Sequence, residues 1–374
     1  MITSQEWWFL KDIMAARSAG YHEYRRAMHM TDREKADLRG PVQKVTAESY
    51  NADWKTKGMP DKPNLREETV YLVDGRLLTM GHRSPDGSTW KSTYMYDADG
   101  RLLQVRSSSG REDYISRSSY DQQGRLIRVT SAKGDAAEST SEAYQYASDN
   151  TKSKILFIPA EAHGPNVGLD LRVEDSELSI PAQGAATLTT VYDRRGFPAE
   201  ALAHGARHEL IARAIYFCDE QGHIVEEKLE PGHEPGSGVG DQFPEEVRAL
   251  MAKVLASHFM QQRVVYKYDE AGNRIEMKRD SGALGSDTRH TRYDGHGNKI
   301  LEESESLTRG GMDFDLNGNE VPETVKTNAQ RSSVRFDYKY DDRGNWTEQA
   351  QWSRLEPDAR EFRSMMVKRM LSYF

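Results

Sequence analysis

The sequence predicts a mainly-β fold: an array of β-hairpin repeats forming a curved or spiralling antiparallel sheet, a partial shell or barrel. An N-terminal helical cap and one inserted helix complete the expectation. Three observations carry it. A short phrase, Tyr-Asp-x-x-Gly-(Arg or Asn) with an apolar residue following, recurs at a nearly constant step. The chain is polar for its 374 residues, with 29% charged and 37% hydrophobic residues and a mean hydropathy of −0.80, whereas a compact globule of this length needs a larger apolar share. Its 18 tyrosines and 29 glycines supply the aromatic strand residues and turn residues that β structure uses.

Residues 1–40 read as the helical cap. Thr3-x-x-Glu6 can form a capping box, and Trp7, Leu10 and Met14 fall on one helical face. Thr31-x-x-Glu34 offers a second capping box before "KADLRG". Such a cap would cover the first hairpin's open edge. Alternatively it docks a partner, with Trp7 and Trp8 as anchors. "LRGPVQKVTAESYN" from Leu38 then reads as the first strand of a repeat-sheet domain spanning 41–374.

Six copies of its Tyr-Asp-x-x-Gly part follow: Tyr96-Asp97…Gly100, Tyr120-Asp121…Gly124, Tyr192-Asp193…Gly196, Tyr268-Asp269…Gly272, Tyr293-Asp294…Gly297 and Tyr340-Asp341…Gly344. Weaker copies centre on Gly75, Gly222 and Gly318, and neighbouring glycines are 25, 24, 26, 25, 21 and 26 residues apart. The two larger gaps, 72 and 50, are close to three and two steps, which predicts degenerate units in the irregular region 145–190 and around 230–262. The aspartate can accept backbone N–H bonds two residues on, and the glycine supplies the positive φ of a three- to five-residue hairpin loop. Flanking segments such as "GRLLQV" and "GNRIEMK" alternate apolar and polar residues as strands do. The tyrosine is expected to cover the next hairpin's backbone with its hydroxyl in water. Stacking then buries faces that a single hairpin cannot.

Within the loop-helix insertion 230–262, "EPGHEPGSGVGDQ" is a loop and "FPEEVRALMAKVLASHFMQ" an amphipathic helix. Its stripe includes Met251 and Phe259, either a plug against the concave sheet or a lid that meets a partner. The end of the sequence, "FRSMMVKRMLSYF", reads as a closing strand.

These repeats resemble the Rhs/YD-repeat family, over roughly residues 65–350, and the chain is similar to a short, repeat-only member without a C-terminal toxin domain. The resemblance implies a sheet coiled into a spiral. In the longest members such sheets form shells around a toxin domain, while other members resemble cell-surface or ligand-binding proteins. About 24 strands at ~4.8 Å spacing give ~115 Å of sheet, roughly one turn, so an open shell, half-pipe or small barrel is expected instead of a capsule.

The net charge of −8, with no basic run, argues against nucleic acid. Nothing approaches 18 consecutive apolar residues, so no membrane-spanning helix is expected. The N-terminus lacks a secretory signal, which predicts a cytoplasmic protein or one exported without a cleaved N-terminal signal. Asp313, Asp315 and Asn317, with Glu323 one position early, half-match a calcium loop, yet the same residues also read as a repeat turn. His204 and His208 have metal-ligand spacing but no third ligand, and Cys218 stands where a repeat tyrosine would. No catalytic residue or cofactor is assigned; calcium is the one candidate ion. The expected function is a non-catalytic binding or scaffold protein that engages or shelters a polypeptide, implied by the family to be toxin-associated. A carbohydrate-binding surface protein is the alternative, and an enzyme with a site in the sheet concavity stands third.

Overall fold

The computed structural model describes residues 31–53, 56–110, 112–149, 151–159, 170–173, 176–181, 185–232, 262–282, 285–310, 313–314, 320–321, 326–355 and 360–374. The sites placed at Trp7, Trp8, Met251 and Phe259 lie outside these residues, as do Asp315, Asn317 and Glu323. The described chain is almost entirely antiparallel β structure built from hairpins, as the repeats predict. One short helix, α1 (Asp32–Lys35), precedes the strands. It carries the second capping box: Glu34 N donates to Thr31 Oγ1 at 3.2 Å, and Thr31 N donates to Glu34 Oε2 at 2.7 Å.

The strands run β1 (Val42–Asn51), β2 (Leu65–Tyr71), β3 (Leu77–Arg83), β4 (Thr89–Tyr96), β5 (Leu102–Ser108), β6 (Asp113–Tyr120), β7 (Leu126–Lys133) and β8 (Ser139–Tyr146). Next come β9 (Lys152–Phe157), β10 (Asp170–Leu171), β11 (Ile180–Pro181), β12 (Ala185–Tyr192), β13 (Pro198–Gly205), β14 (Leu210–Cys218), β15 (Ile224–Pro231) and β16 (Gln262–Tyr268). The last are β17 (Arg274–Asp280), β18 (Gly285–Tyr293), β19 (Lys299–Gly310), β20 (Asp313–Phe314), β21 (Glu320–Val321), β22 (Lys326–Tyr340), β23 (Trp346–Leu355) and β24 (Phe362–Tyr373).

The chain divides into two compact units. The first comprises the described residues up to Ala143, with Arg292–Glu302 and Ser332–Phe374. Its ladder runs in order through β22, β23, β24, β1, β2, β3, β4, β5, β6, β7 and β8, every neighbour antiparallel. The closing strand is therefore β24, and it pairs with β1 on one side and β23 on the other. The open edge that a helical cap was expected to cover is occupied by this strand. α1 instead packs on the Gly75 turn, where Arg33 N donates to Gly75 O at 2.9 Å. A small core gathers Leu38, Val42, Val45 and Tyr71.

The second unit comprises Tyr144–Thr291 and Glu303–Arg331 of the described chain. Its ladder runs through β9, β12, β13, β14, β15, β16, β17 and β18. Two of the expected degenerate units are corrected here. β15 and β16 are direct neighbours, so the 50-residue glycine gap holds one hairpin step plus an insertion. In the 72-residue gap Ala147 N donates to Thr151 O, closing one degenerate hairpin. The remainder carries β10 and β11, which pair only with each other.

Candidate polypeptide-binding face

The repeat turns account for their own sequence. In each, the N–H after the tyrosine position donates to the carbonyl after the glycine, as Asp97 N to Arg101 O and Asp121 N to Arg125 O, both 2.9 Å. Gly100, Gly124, Gly196, Gly272, Gly297 and Gly344 all have φ between +76 and +89, the region open to glycine. The aspartate accepts from the backbone: Arg101 N reaches Asp97 Oδ1 at 2.8 Å, and equivalent bonds form at Asp121, Asp193, Asp269, Asp294 and Asp341. Burial raises the Asp97 carboxyl's pKa, but the Arg101 N–H and guanidinium outweigh it and hold the group below the usual carboxylate range. Asp121, Asp269, Asp294 and Asp341 are lowered too.

The residue after the glycine links one repeat to the next. The Arg76 guanidinium lies 4.6 Å from the Tyr96 ring centre and Arg101 lies 5.3 Å from that of Tyr120. The His223 ring stacks on Tyr268 at 4.7 Å. The hydroxyls of Tyr120, Tyr268 and Tyr340 are not in water, where the sequence places them, and Tyr96 OH donates to Asp32 Oδ2 at 3.4 Å. Those three reach back to the preceding hairpin: Tyr120 donates to Leu102 O and Tyr268 to Ile224 O, both at 2.8 Å, and Tyr340 donates to Asp294 Oδ2 at 2.5 Å. The turn aspartates are thus structural acceptors. Cys218, in a tyrosine position, donates weakly to Pro198 O at 3.6 Å, and burial pushes its thiol up to about 12.

In the second unit one sheet face is lined by small side chains. Ala201 lies opposite Ala214, and Ala203 opposite Ala212, all with no exposed surface. The room they leave is filled by the chain itself. Leu171, Val173, Leu178 and Ile180 pack into the same core, the last two fully buried, each worth ~1.5–3 kcal/mol of apolar burial. The segment is gripped through its backbone as well. Glu227, on β15 with no exposed surface, accepts from Leu178 N (3.0 Å), Glu177 N (3.3 Å), Ser176 Oγ (2.7 Å) and Tyr266 OH (2.6 Å). Burial pushes the Glu227 carboxyl up, against the downward pull of those donors. Burial and the Glu227 charge also push the Tyr266 phenol up.

Glu177 points the other way, to Arg274 Nη2 at 2.7 Å, with Arg279 and Arg289 at 3.7 Å, while Arg279 Nη2 donates to Glu177 O at 2.9 Å. None of these residues was singled out from sequence. A signal existed for Glu227, which shares a strand face with Leu229, but a period-two pattern gives no reason for a carboxylate to be buried.

Each predicted Asp and Gly lies in a loop and each Tyr is the last residue of the strand before it, and the structure does not gather them into a pocket. His204 lies on β13 and His208 in the loop after it. Asp313 and Phe314 pair with Val321 and Glu320, and the rest of the calcium-like loop lies outside the described residues. Among the described residues no three His, Cys, Asp or Glu side chains form a metal-binding group, and no helix is long and apolar enough to cross a membrane.

Residues 96–136 match the family model for the RHS repeat. No curated protein matches the chain. Among solved structures it is similar to a chain in the crystal structure of TcdB2-TccC3-Cdc42, with 14% identity and a TM-score of 0.24 over 81% of this chain. It spans only 16% of that chain's length. It is also similar to a porin-like protein from Bacteroides uniformis (9% identity, TM-score 0.27, 89% of this chain and 99% of that one). A third likeness is to Pseudomonas putida OprB (8% identity, TM-score 0.23, 88% and 91%). TM-scores of this size establish no feature of the present chain. The matched segment runs from Tyr96, the last residue of β4, through β7 and holds two complete turns, and the same turn geometry recurs in both units.

Proposed function

We propose that the protein is a non-catalytic Rhs-repeat scaffold whose sheet faces receive extended polypeptide, in a toxin-associated setting. The observation that carries this is the segment from Leu171 to Pro181. The face accommodates a chain without regular ladder pairing to it, using small residues for clearance and a buried carboxylate for main-chain N–H groups. Those are the requirements for holding a polypeptide by its backbone. The setting rests on the resemblance to the Rhs/YD-repeat family alone.

The exposed strand faces support a water-facing protein. They carry cross-strand ion pairs such as Lys44 with Glu68, Arg106 with Asp113, Lys133 with Glu112 and Arg263 with Glu226. Against lipid, each lysine or arginine near the bilayer midplane would cost about 2–4 kcal/mol.

The test is binding of a labelled, permanently unfolded polypeptide, followed by anisotropy, beside a glycan array. Saturable polypeptide binding that protects the ligand from protease is expected. Array hits without polypeptide binding would replace this reading with the carbohydrate one.

A further inference from the structure

Asp37-Leu38-Arg39-Gly40 has the Asp-x-x-Gly spacing of a repeat turn but no tyrosine before it, while β24 ends on Tyr373 followed by Phe374. In complete turns the tyrosine pairs with the residue two past the glycine: Tyr96 with Leu102, Tyr120 with Leu126, Tyr340 with Trp346. Tyr373 pairs with Val42, two past Gly40. The loop-closing bond is also present, since Phe374 N donates to Pro41 O at 3.0 Å. Gly40 has φ +75, like the other turn glycines.

The inter-repeat contacts match as well. The Arg343 guanidinium lies 3.9 Å from the Tyr373 ring centre, and Arg343 Nη1 would sit 3.4 Å from a Cβ on Gly40. Arg76 makes the same contacts with Tyr96 and Gly100, although it follows its own turn glycine whereas Arg343 precedes Gly344. Tyr373 OH donates to Asp341 Oδ2 at 2.5 Å, as Tyr340 does to Asp294.

We infer that these two segments are halves of one repeat split between distant parts of the sequence, that Asn345 clasps them together, and that this seam is where the first unit's ladder opens. Asn345 is only 2% exposed, and its side chain bonds both halves. Its Oδ1 accepts from Arg39 N at 2.6 Å, and its Nδ2 donates to Arg39 O at 2.9 Å and to Tyr373 OH at 3.0 Å.

Two features make the seam weaker than an intact turn. No short loop joins Phe374 to Asp37, so the strands are not held at high local concentration once parted. Pro41 has no N–H at the position where Arg101, Arg125, Asn298 and Asn345 donate to a turn aspartate.

Hydrogen–deuterium exchange on the full chain tests this. Amides of Thr46–Ser49 and Val367–Leu371 are expected to exchange about tenfold faster than those of the β4–β5 hairpin. Asn345→Ala should speed the seam about tenfold again and leave β4–β5 and β6–β7 unchanged. Glu48 and Lys368 face each other across the seam. Cysteines at both positions, in a Cys218→Ser background, should slow seam exchange to the hairpin level when oxidised and release it when reduced. Wild-type seam exchange no faster than β4–β5 would overturn the inference. Uniform acceleration of all strands by Asn345→Ala, or an oxidised lock without effect, would do the same.

Discussion

Gly87 and Gly100 have φ of +84 and +85, yet their surroundings differ. A methyl group on Gly87 meets nothing within 4 Å, whereas on Gly100 it stands 3.0 Å from Arg76 Nη1. Gly87→Ala should therefore cost only left-handed strain, about 1–2 kcal/mol. Gly100→Ala should cost up to about 1 kcal/mol more because it also displaces the guanidinium from the Tyr96 ring. Urea denaturation of the two variants compares them, and equal losses would mean the stack contributes nothing. Glu227 poses the opposite case, a group whose partners all donate. Glu227→Gln turns one acceptor into a donor facing donors, leaving buried N–H or O–H groups unmatched at about 1–3 kcal/mol each. The expected readout is lower stability together with faster proteolysis around residues 171–181. The turn glycines were legible because a turn's chemistry is contained within five residues. Glu227 was not, because its partners Ser176, Leu178 and Tyr266 are brought to it from other elements.

At the scale of the hairpin, the repeated phrase encodes a connector as much as a turn. Arg101 is bound by its own Asp97 at 2.6 Å and lies over the next hairpin's Tyr120, whose hydroxyl bonds back to Leu102 O. Stability should then behave as a sum of hairpins plus nearest-neighbour terms. Tyr120→Phe is expected to cost about 1 kcal/mol. A double-mutant cycle should find coupling of about 0.5 kcal/mol or more between Arg101 and Tyr120, and none between Arg101 and Tyr268. Strand alternation and turn positions were readable from sequence. The backward reach of the tyrosine was not, because each hairpin carries a one-residue register shift just before it, as between Met95 and Tyr96. That bulge re-aims the ring in a way period-two patterning does not express.

Across the whole molecule two groups of carboxylates have opposite pH behaviour. Asp97, Asp121, Asp219, Asp269, Asp294 and Asp341 are lowered in the folded state. Their contribution is present above the unfolded value near 4 and lost as pH falls through the lowered values. Burial raises Glu227 and Asp37, so their contribution is largest below the unfolded value and declines as pH rises through the raised ones. Equilibrium unfolding should show stability level or rising on acidification from neutrality towards the unfolded carboxylate range, then falling steeply below about pH 4. In Glu227→Gln the rise should shrink while the acid loss remains. A steady decline from neutrality in the wild type would contradict the burial of Glu227.

Sequence alone determined the hairpin, its turn residues and its repetition, because hydrogen bonds to an aspartate and the φ freedom of a glycine are decided within one short loop. Only the tertiary structure decided that Leu171–Pro181 fills a sheet face, that β15 and β16 pair directly across the 50-residue gap, and that Tyr373 completes the turn at Gly40. Those outcomes depend on which surfaces bury one another across long stretches of chain, and a local pattern carries no record of its distant neighbours.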